Sequence, residues 1–288
     1  MPDDRTSATG PCVLLACYLP SPDKSYVVEE IFNDLAAAIG SAVAYVGIQH
    51  GSDASAEEVL RRAAAGWTLH MSRIPERLHV DSDAAAYVES LRLLRESGRR
   101  HTLCYFVHTK GVTSGDDDLR RSLLADLTGA AATSALARKG VGSYGPHLTV
   151  SRSRDDVALM RRWLELFVDG PLLPALPYFY AHTIWVADGA CVAGLLRTVG
   201  DAFFITPIQE YSDRYFAERD LPHLVDALAG KRPSYGRLVG NHSTDYHRTR
   251  TREYLAALAS WYARSAPRRV TRRLGRAWFR PHQPTSAP

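Results

Sequence analysis

Short apolar runs alternate with stretches of helical spacing along most of this chain, the pattern of strands interleaved with helices around a largely parallel sheet. Residues 12–18 (CVLLACY) predict a first buried strand, closed by Pro20 and Pro22. From Ser25 onward Val27, Val28, Ile31, Leu35 and Ile39 keep to one face of a helix that Gly40 stops. Residues 42–48 form a second strand, followed by a polar turn, a helix over 55–65 and a short strand near 67–71. Asp83 caps a helix through Leu94, with Tyr87, Val88, Leu91 and Leu94 on one face. Residues 102–107 (TLCYFV), β-branched and aromatic, are the expected central strand. Helices follow over 119–138 and 155–168, then a proline-rich linker at 170–177. Beyond it the pattern predicts a strand at 179–187, a helix over 188–199, an apolar patch at 203–205 and a helix near 212–228. A last helix over 252–264 leads into a basic tail.

The length of 288 residues fits one α/β domain over 10–265 with a tail at 266–288, because single cores stop growing near roughly 250–300 residues. An apolar share of 45% supports a core of ordinary size. Cys12, Cys17, Cys104 and Cys191 form no CxxC pair and mostly sit in apolar runs, which predicts buried free thiols in a reducing compartment. No apolar run reaches the roughly 18 residues that a membrane-spanning helix needs. The polar, acidic start (MPDDRTSATG) is unlike a secretory signal, so a cytoplasmic location is expected.

The net charge of +4 changes meaning once it is located. Residues 266–288 hold six arginines and no acid, which leaves the rest of the chain at 4 − 6 = −2. The domain is therefore not expected to bind nucleic acid. Val270, Leu274, Ala277 and Trp278 share a face of the tail among those arginines. Such a segment suits peripheral contact with the inner face of an anionic membrane, and equally a disordered solubilising tail.

No GxSxG, HExxH, Walker loop or GxGxxG occurs, which argues against serine hydrolases, zinc proteases, P-loop enzymes and dinucleotide dehydrogenases. The sharpest local feature is Tyr105-Phe106-Val107-His108-Thr109-Lys110-Gly111. A buried strand here ends abruptly in imidazole, hydroxyl, ammonium and glycine, and open parallel sheets bind ligands at that edge. Lys110 suits a diphosphate as a point charge, and Gly111 permits close backbone approach. Solvent-facing polar residues at a strand end would look the same.

This run resembles the YLHTKG run of bacterial glycosyltransferase-like proteins related to rhamnan synthesis protein F. Further motifs of that group recur here in the same order. A basic helix opens at Asp118-Leu119-Arg120-Arg121, and a turn follows at Gly140-Val141-Gly142. An aromatic strand then runs Tyr180-Ala181-His182-Thr183-Ile184-Trp185, and Tyr215-Phe216-Ala217-Glu218 comes later. His182, Thr183 and Ile184 replace the group's Gly-Asn-Phe stretch, and one tryptophan of its pair remains as Trp185.

The resemblance implies a glycosyltransferase-A-like (Rossmann-like) single domain, a mostly parallel sheet flanked by helices. It implies transfer of a sugar from a nucleotide diphosphate sugar donor to a hydroxyl of a glycan or small-molecule acceptor. A non-catalytic nucleotide- or carbohydrate-binding relative of that fold is the alternative. His108, Thr109 and Lys110 would face the donor diphosphate, and Glu218 would be the catalytic base. Tyr180, His182 and Trp185 would meet the acceptor or sugar. Asp116, Asp117 and Asp118 have two readings: ligands for Mn2+ or Mg2+, or acids at a helix start.

Overall fold

The structure, a computed structural model, describes residues 9–74, 83–109, 115–150, 178–201, 203–204 and 221–238. These belong to one compact unit, Met1–Leu238. The expected helix at 155–168, the linker, the helix at 252–264, the domain limit at 265 and the tail lie outside the described residues.

The chain forms an α/β fold around a sheet of eight strands. The first part is β1 (Cys12–Cys17), α1 (Ser25–Ile39), β2 (Val43–Ile48), α2 (Ala56–Ala63), β3 (Thr68–Arg73), α3 (Asp83–Ser97) and β4 (Leu103–His108). Then come α4 (Asp117–Thr128), α5 (Ala130–Leu136), β5 (Val141–Val150), β6 (Tyr178–Tyr180) and β7 (Trp185–Asp188). Helix α6 (Gly189–Thr198), helix α7 (Leu221–Leu228) and β8 (Arg232–Leu238) complete it. The sheet order is β3-β2-β1-β4-β7-β5-β6, with β8 on β5. Strands β3, β2, β1 and β4 run parallel, as does the β5–β8 pair. The β4–β7, β5–β7 and β5–β6 pairs are antiparallel.

The alternation of the strands assigns the two faces of the sheet. Val13, Leu15, Val46, Ile48 and Val107 pack with Val28, Ile31 and Leu35 of α1 in one core. Each such apolar side chain, fully buried, contributes about 1.5–3 kcal/mol. On the opposite face α3 lies so close to β2 that a Cβ on Gly47 would stand 2.1 Å from the Ala86 carbonyl oxygen. The Gly47 N–H donates to Ser90 Oγ at 3.1 Å across that contact. Phe106 and Trp185 stack on the same face with centroids 3.7 Å apart. All four cysteines are free and buried, as the sequence predicted.

Three expectations need revision. The helix expected over 119–138 is two helices, because Gly129 adopts an extended conformation (φ −74, ψ 169) between them. The strand expected over 179–187 is broken by a 3-10 turn, Ala181–Thr183, that separates β6 from β7. The turn expected around Gly140–Gly142 leads directly into β5, a strand of ten residues. Among the described residues no helix is long and apolar enough to cross a membrane.

Candidate functional site

The chain passes from β1 outward to β2 and β3, then crosses back to place β4 on the other side of β1. The carboxyl ends of β1 and β4 therefore lie side by side, at the edge where open α/β sheets hold ligands in a crevice. Tyr18 follows β1 there, and His108 and Thr109 stand at the end of β4. The Thr109 N–H donates to the Ala16 carbonyl at 3.2 Å. Its hydroxyl donates to the Tyr18 carbonyl at 2.9 Å and accepts from the Tyr18 N–H at 3.0 Å. With its one proton spent, the Thr109 hydroxyl has no donor left for a phosphate. Its place is to clasp the two strand ends and fix where the next loop departs. Lys110 and Glu218 lie outside the described residues.

His108 is buried, and its Nε2 donates to the His182 carbonyl at 2.7 Å. His182 (φ 72, ψ 12) and Thr183 (φ 55) both have positive φ. For a β-branched residue such as Thr183 that conformation is strained, of order 1–3 kcal/mol, and persists only where neighbours enforce it. The enforcement is visible. His108 holds the His182 carbonyl, and the Tyr87 hydroxyl donates to the Thr183 carbonyl at 2.7 Å. The His147 ring lies 5.7 Å from that of His182, edge to face. Burial above all pushes the His147 pKa down; Asp126 opposes that, and Arg237 adds to it. Three histidines from three elements thus gather beside the crevice. His147 was missed because its Gly-Ser-Tyr-Gly-Pro-His context reads as a turn.

Tyr180 and Trp185, expected to offer faces to a sugar, are 0% exposed. Trp185 stacks between Phe106 and Tyr180, whose ring centroids are 3.7 and 6.0 Å away. The Tyr180 hydroxyl lies 2.7 Å from Ser143 Oγ and donates to the Ser234 carbonyl at 3.1 Å. Burial drives the Tyr180 phenol pKa well up. Ser143 in turn donates to Asp226 at 2.6 Å. These aromatic residues are the packing between sheet halves, and sugar contact is not open to them in this arrangement. Of the three residues assigned to the acceptor, His182 alone is only half-buried.

Two of the acids at 116–118 also find partners. Asp116 is the N-cap residue of α4, without a side-chain cap bond. Asp117 accepts from Arg120 at 2.6 Å and from the Tyr26 hydroxyl at 3.3 Å. Asp118, fully exposed, accepts from Arg121 at 3.4 Å. Arg120 is 0% exposed and also meets Glu30 on α1, which accepts from Arg121 at 2.7 Å. Arg120 beside Asp117 holds that carboxyl below its usual range. Arg121 does the same for Glu30, with Arg120 assisting against some desolvation. Both oxygens of Asp117 are already used, so this acid fits the neutralisation of a buried guanidinium better than the ligation of a cation. Among the described residues no group of three His, Cys, Asp or Glu is placed to hold a metal.

The loop after β2 is pinned by a residue the sequence did not single out. Arg73 donates to the Ser52 carbonyl at 2.9 Å and to the Asp53 carbonyl at 3.0 Å. Asp53 lies two residues before the N-cap of α2, Ser55, and accepts from its N–H at 2.8 Å and its hydroxyl at 2.6 Å. An arginine at the end of an edge strand carries no sequence signal for that contact.

No family model matches the chain, and no curated protein matches it. Among solved structures, the chain is similar to core-mannan synthase A from Aspergillus fumigatus, in its Mn/GDP form, with 7% identity and a TM-score of 0.37. That similarity covers 82% of this chain and 73% of the other. At such distance no residue role passes from one protein to the other.

Proposed function

We propose that this chain is a glycosyltransferase of the A type, moving a sugar from a nucleotide diphosphate sugar to a hydroxyl of a glycan or small acceptor. The observation that carries the reading is the position of the His-Thr-Lys-Gly run. It starts where the carboxyl ends of β1 and β4 lie side by side, the edge at which open α/β sheets bind ligands. Thr109 fixes the departure of the loop, and Lys110 supplies the charge that meets the diphosphate. In an inverting transfer, Glu218 takes the proton of the acceptor hydroxyl as its oxygen bonds the anomeric carbon. The bond from that carbon to the diphosphate breaks, and the nucleoside diphosphate leaves with the electron pair. The acids at 116–118 have no step in this scheme. A lipid-borne acceptor would give the arginine-rich tail a purpose, which co-sedimentation with anionic vesicles tests with and without residues 266–288.

A titration of nucleoside diphosphates and their sugars, with and without manganese, tests the donor site. Lys110→Ala should weaken binding at least tenfold. A folded Glu218→Gln protein should lose about 100-fold or more in transfer rate, the usual share of a general base. Full transfer activity in that variant refutes the assignment of the base. The burial of Tyr180 and Trp185 favours one second reading, a nucleotide-binding relative without turnover. Binding without consumption of any donor identifies it.

A further inference from the structure

We infer that a pocket at the amino-terminal end of β4, between the end of α3 and helix α6, binds a phosphate-bearing polyanion. It sits at the opposite end of β4 from the crevice and does not depend on the transfer reading. The cavity measures about 210 Å³. Arg95, Arg99, Arg100 and Arg197 line it, and among the described residues no acid does. Its remaining wall is largely apolar, with Leu94 and Val192 among the residues there.

Elsewhere six arginines of this fold find carboxylates: Arg61, Arg62, Arg73, Arg92, Arg120 and Arg121 each meet one. In the pocket Arg95 alone does so, pairing with Asp201 at 2.8 Å and lying 4.1 Å over the Phe204 ring. Arg99, Arg100 and Arg197 make no ion pair among the described residues. All three are exposed, so their guanidiniums repel one another through solvent, and an anion removes that modest cost. Their planar forks match phosphate oxygens two at a time.

The backbone that carries them is anchored. Thr9 donates to the Arg100 carbonyl through both its N–H and its hydroxyl, each at 2.9 Å. The next residue, His101, is buried, with Nδ1 3.1 Å from the Gly10 carbonyl and Nε2 3.1 Å from the Tyr45 hydroxyl. Gly98 (φ +66) turns the chain out of α3 so that Arg99 and Arg100 follow at once. Across the gap Arg197 stands on the last turn of α6. A site with fixed walls loses little entropy on binding.

Titration calorimetry with inorganic pyrophosphate tests this on the full chain, in a Lys110→Ala background that silences the crevice. Binding should persist in that background and weaken at least tenfold when Arg99→Ser, Arg100→Ser and Arg197→Ser are added. An Arg61→Ser, Arg62→Ser control, which removes similar charge elsewhere, should stay within twofold. The inference is overturned by no binding in Lys110→Ala, by unchanged binding in the pocket variant, or by equal loss in the control. If the triple variant fails to fold, Arg197→Glu alone should give the loss, and retained affinity there overturns the inference equally. Failure of the transfer reading shows separately, in nucleotide binding that Lys110→Ala leaves unaltered.

Discussion

His108 Nε2 lies 2.7 Å from the carbonyl oxygen of His182, tying the end of β4 to a turn that no single element would hold. A carbonyl only accepts, so Nε2 carries the proton. The Tyr87 hydroxyl takes the next carbonyl, that of Thr183. Two neighbouring donors thus stabilise two residues with positive φ. Removing His108 deletes its hydrogen bond, at a cost of about 0.5–1.5 kcal/mol. His108→Ala should lower the thermal midpoint clearly, Tyr87→Phe by less, and the double variant by more than the sum. Midpoints that match the wild type in both single variants would show that the turn is held by something else.

Arg120 should matter more for stability than its surface-lying partners suggest. It is wholly buried between Asp117 and Glu30, so Arg120→Met leaves Asp117 without its guanidinium and Glu30 with Arg121 alone; because both acids reach solvent, the cost at pH 7 should be about 1–3 kcal/mol. The pH dependence follows from the depressed carboxyls. Stability from Glu30 and Asp117 is complete above their ordinary values of 4.5 and 3.8 and disappears as pH falls through the lower folded values. Acid unfolding followed by circular dichroism should therefore be steeper for the wild type below pH 4.5 than for Arg120→Met. Equal acid slopes for the two proteins would sink the claim.

His223 acts in a higher window and through a different cause. Burial on α7 pushes its pKa down to about 4 from an ordinary 6.5. Below 6.5 the unfolded chain takes up a proton that the folded one refuses, so stability is full above that pH and declines toward pH 4. The loss is on the order of 3 kcal/mol. His101 and His147, also lowered chiefly by burial, contribute in the same direction. His223→Gln should flatten the fall of the thermal midpoint between pH 7 and pH 4 without abolishing it. An unchanged profile in that variant refutes the assignment.

The cysteines should be inert while the fold is intact. Burial raises the Cys17 and Cys191 thiols to about 12 and pushes Cys12 up as well, where the buried Cys104 thiol beside it adds to the effect. Thiolate is the reactive form, so iodoacetamide at pH 8 should leave the native protein unlabelled and modify all four residues in denaturant. Rapid labelling of any of them before unfolding would contradict this packing.

The first half of the fold was legible because its strands and helices announce themselves by period. Strands β1, β2 and β4 are apolar runs, and α1 and α3 keep one apolar face. Strands β5 and β8 were not legible, since VGSYGPHLTV and RPSYGRL carry the glycines, prolines and charges of turns. In β5 those glycines answer to distant neighbours: a Cβ on Gly145 would stand 2.1 Å from the Tyr180 ring, and one on Gly142 2.4 Å from the Asp226 carboxylate. The candidate site divides the same way. That β4 ends in polar groups at a ligand-binding edge follows from local pattern. That Thr109 turns back to Tyr18, or that Asp117 serves a guanidinium shared with Glu30, depends on partners some ninety positions apart, which spacing does not encode.

The four-residue strand β7 stands between β4 and β5, so among the described residues the sheet hydrogen bonds joining the early strands to the late ones run through it. On the ribosome β4 is finished long before Trp185 is made. In that interval Phe106 lacks the indole that will cover it, and one margin of β4 is bare. A nascent chain in this state offers a template to any other strand nearby, so its exposure to chaperones and to misassembly peaks before β7 emerges. A product halted short of residue 185 keeps that open margin for good.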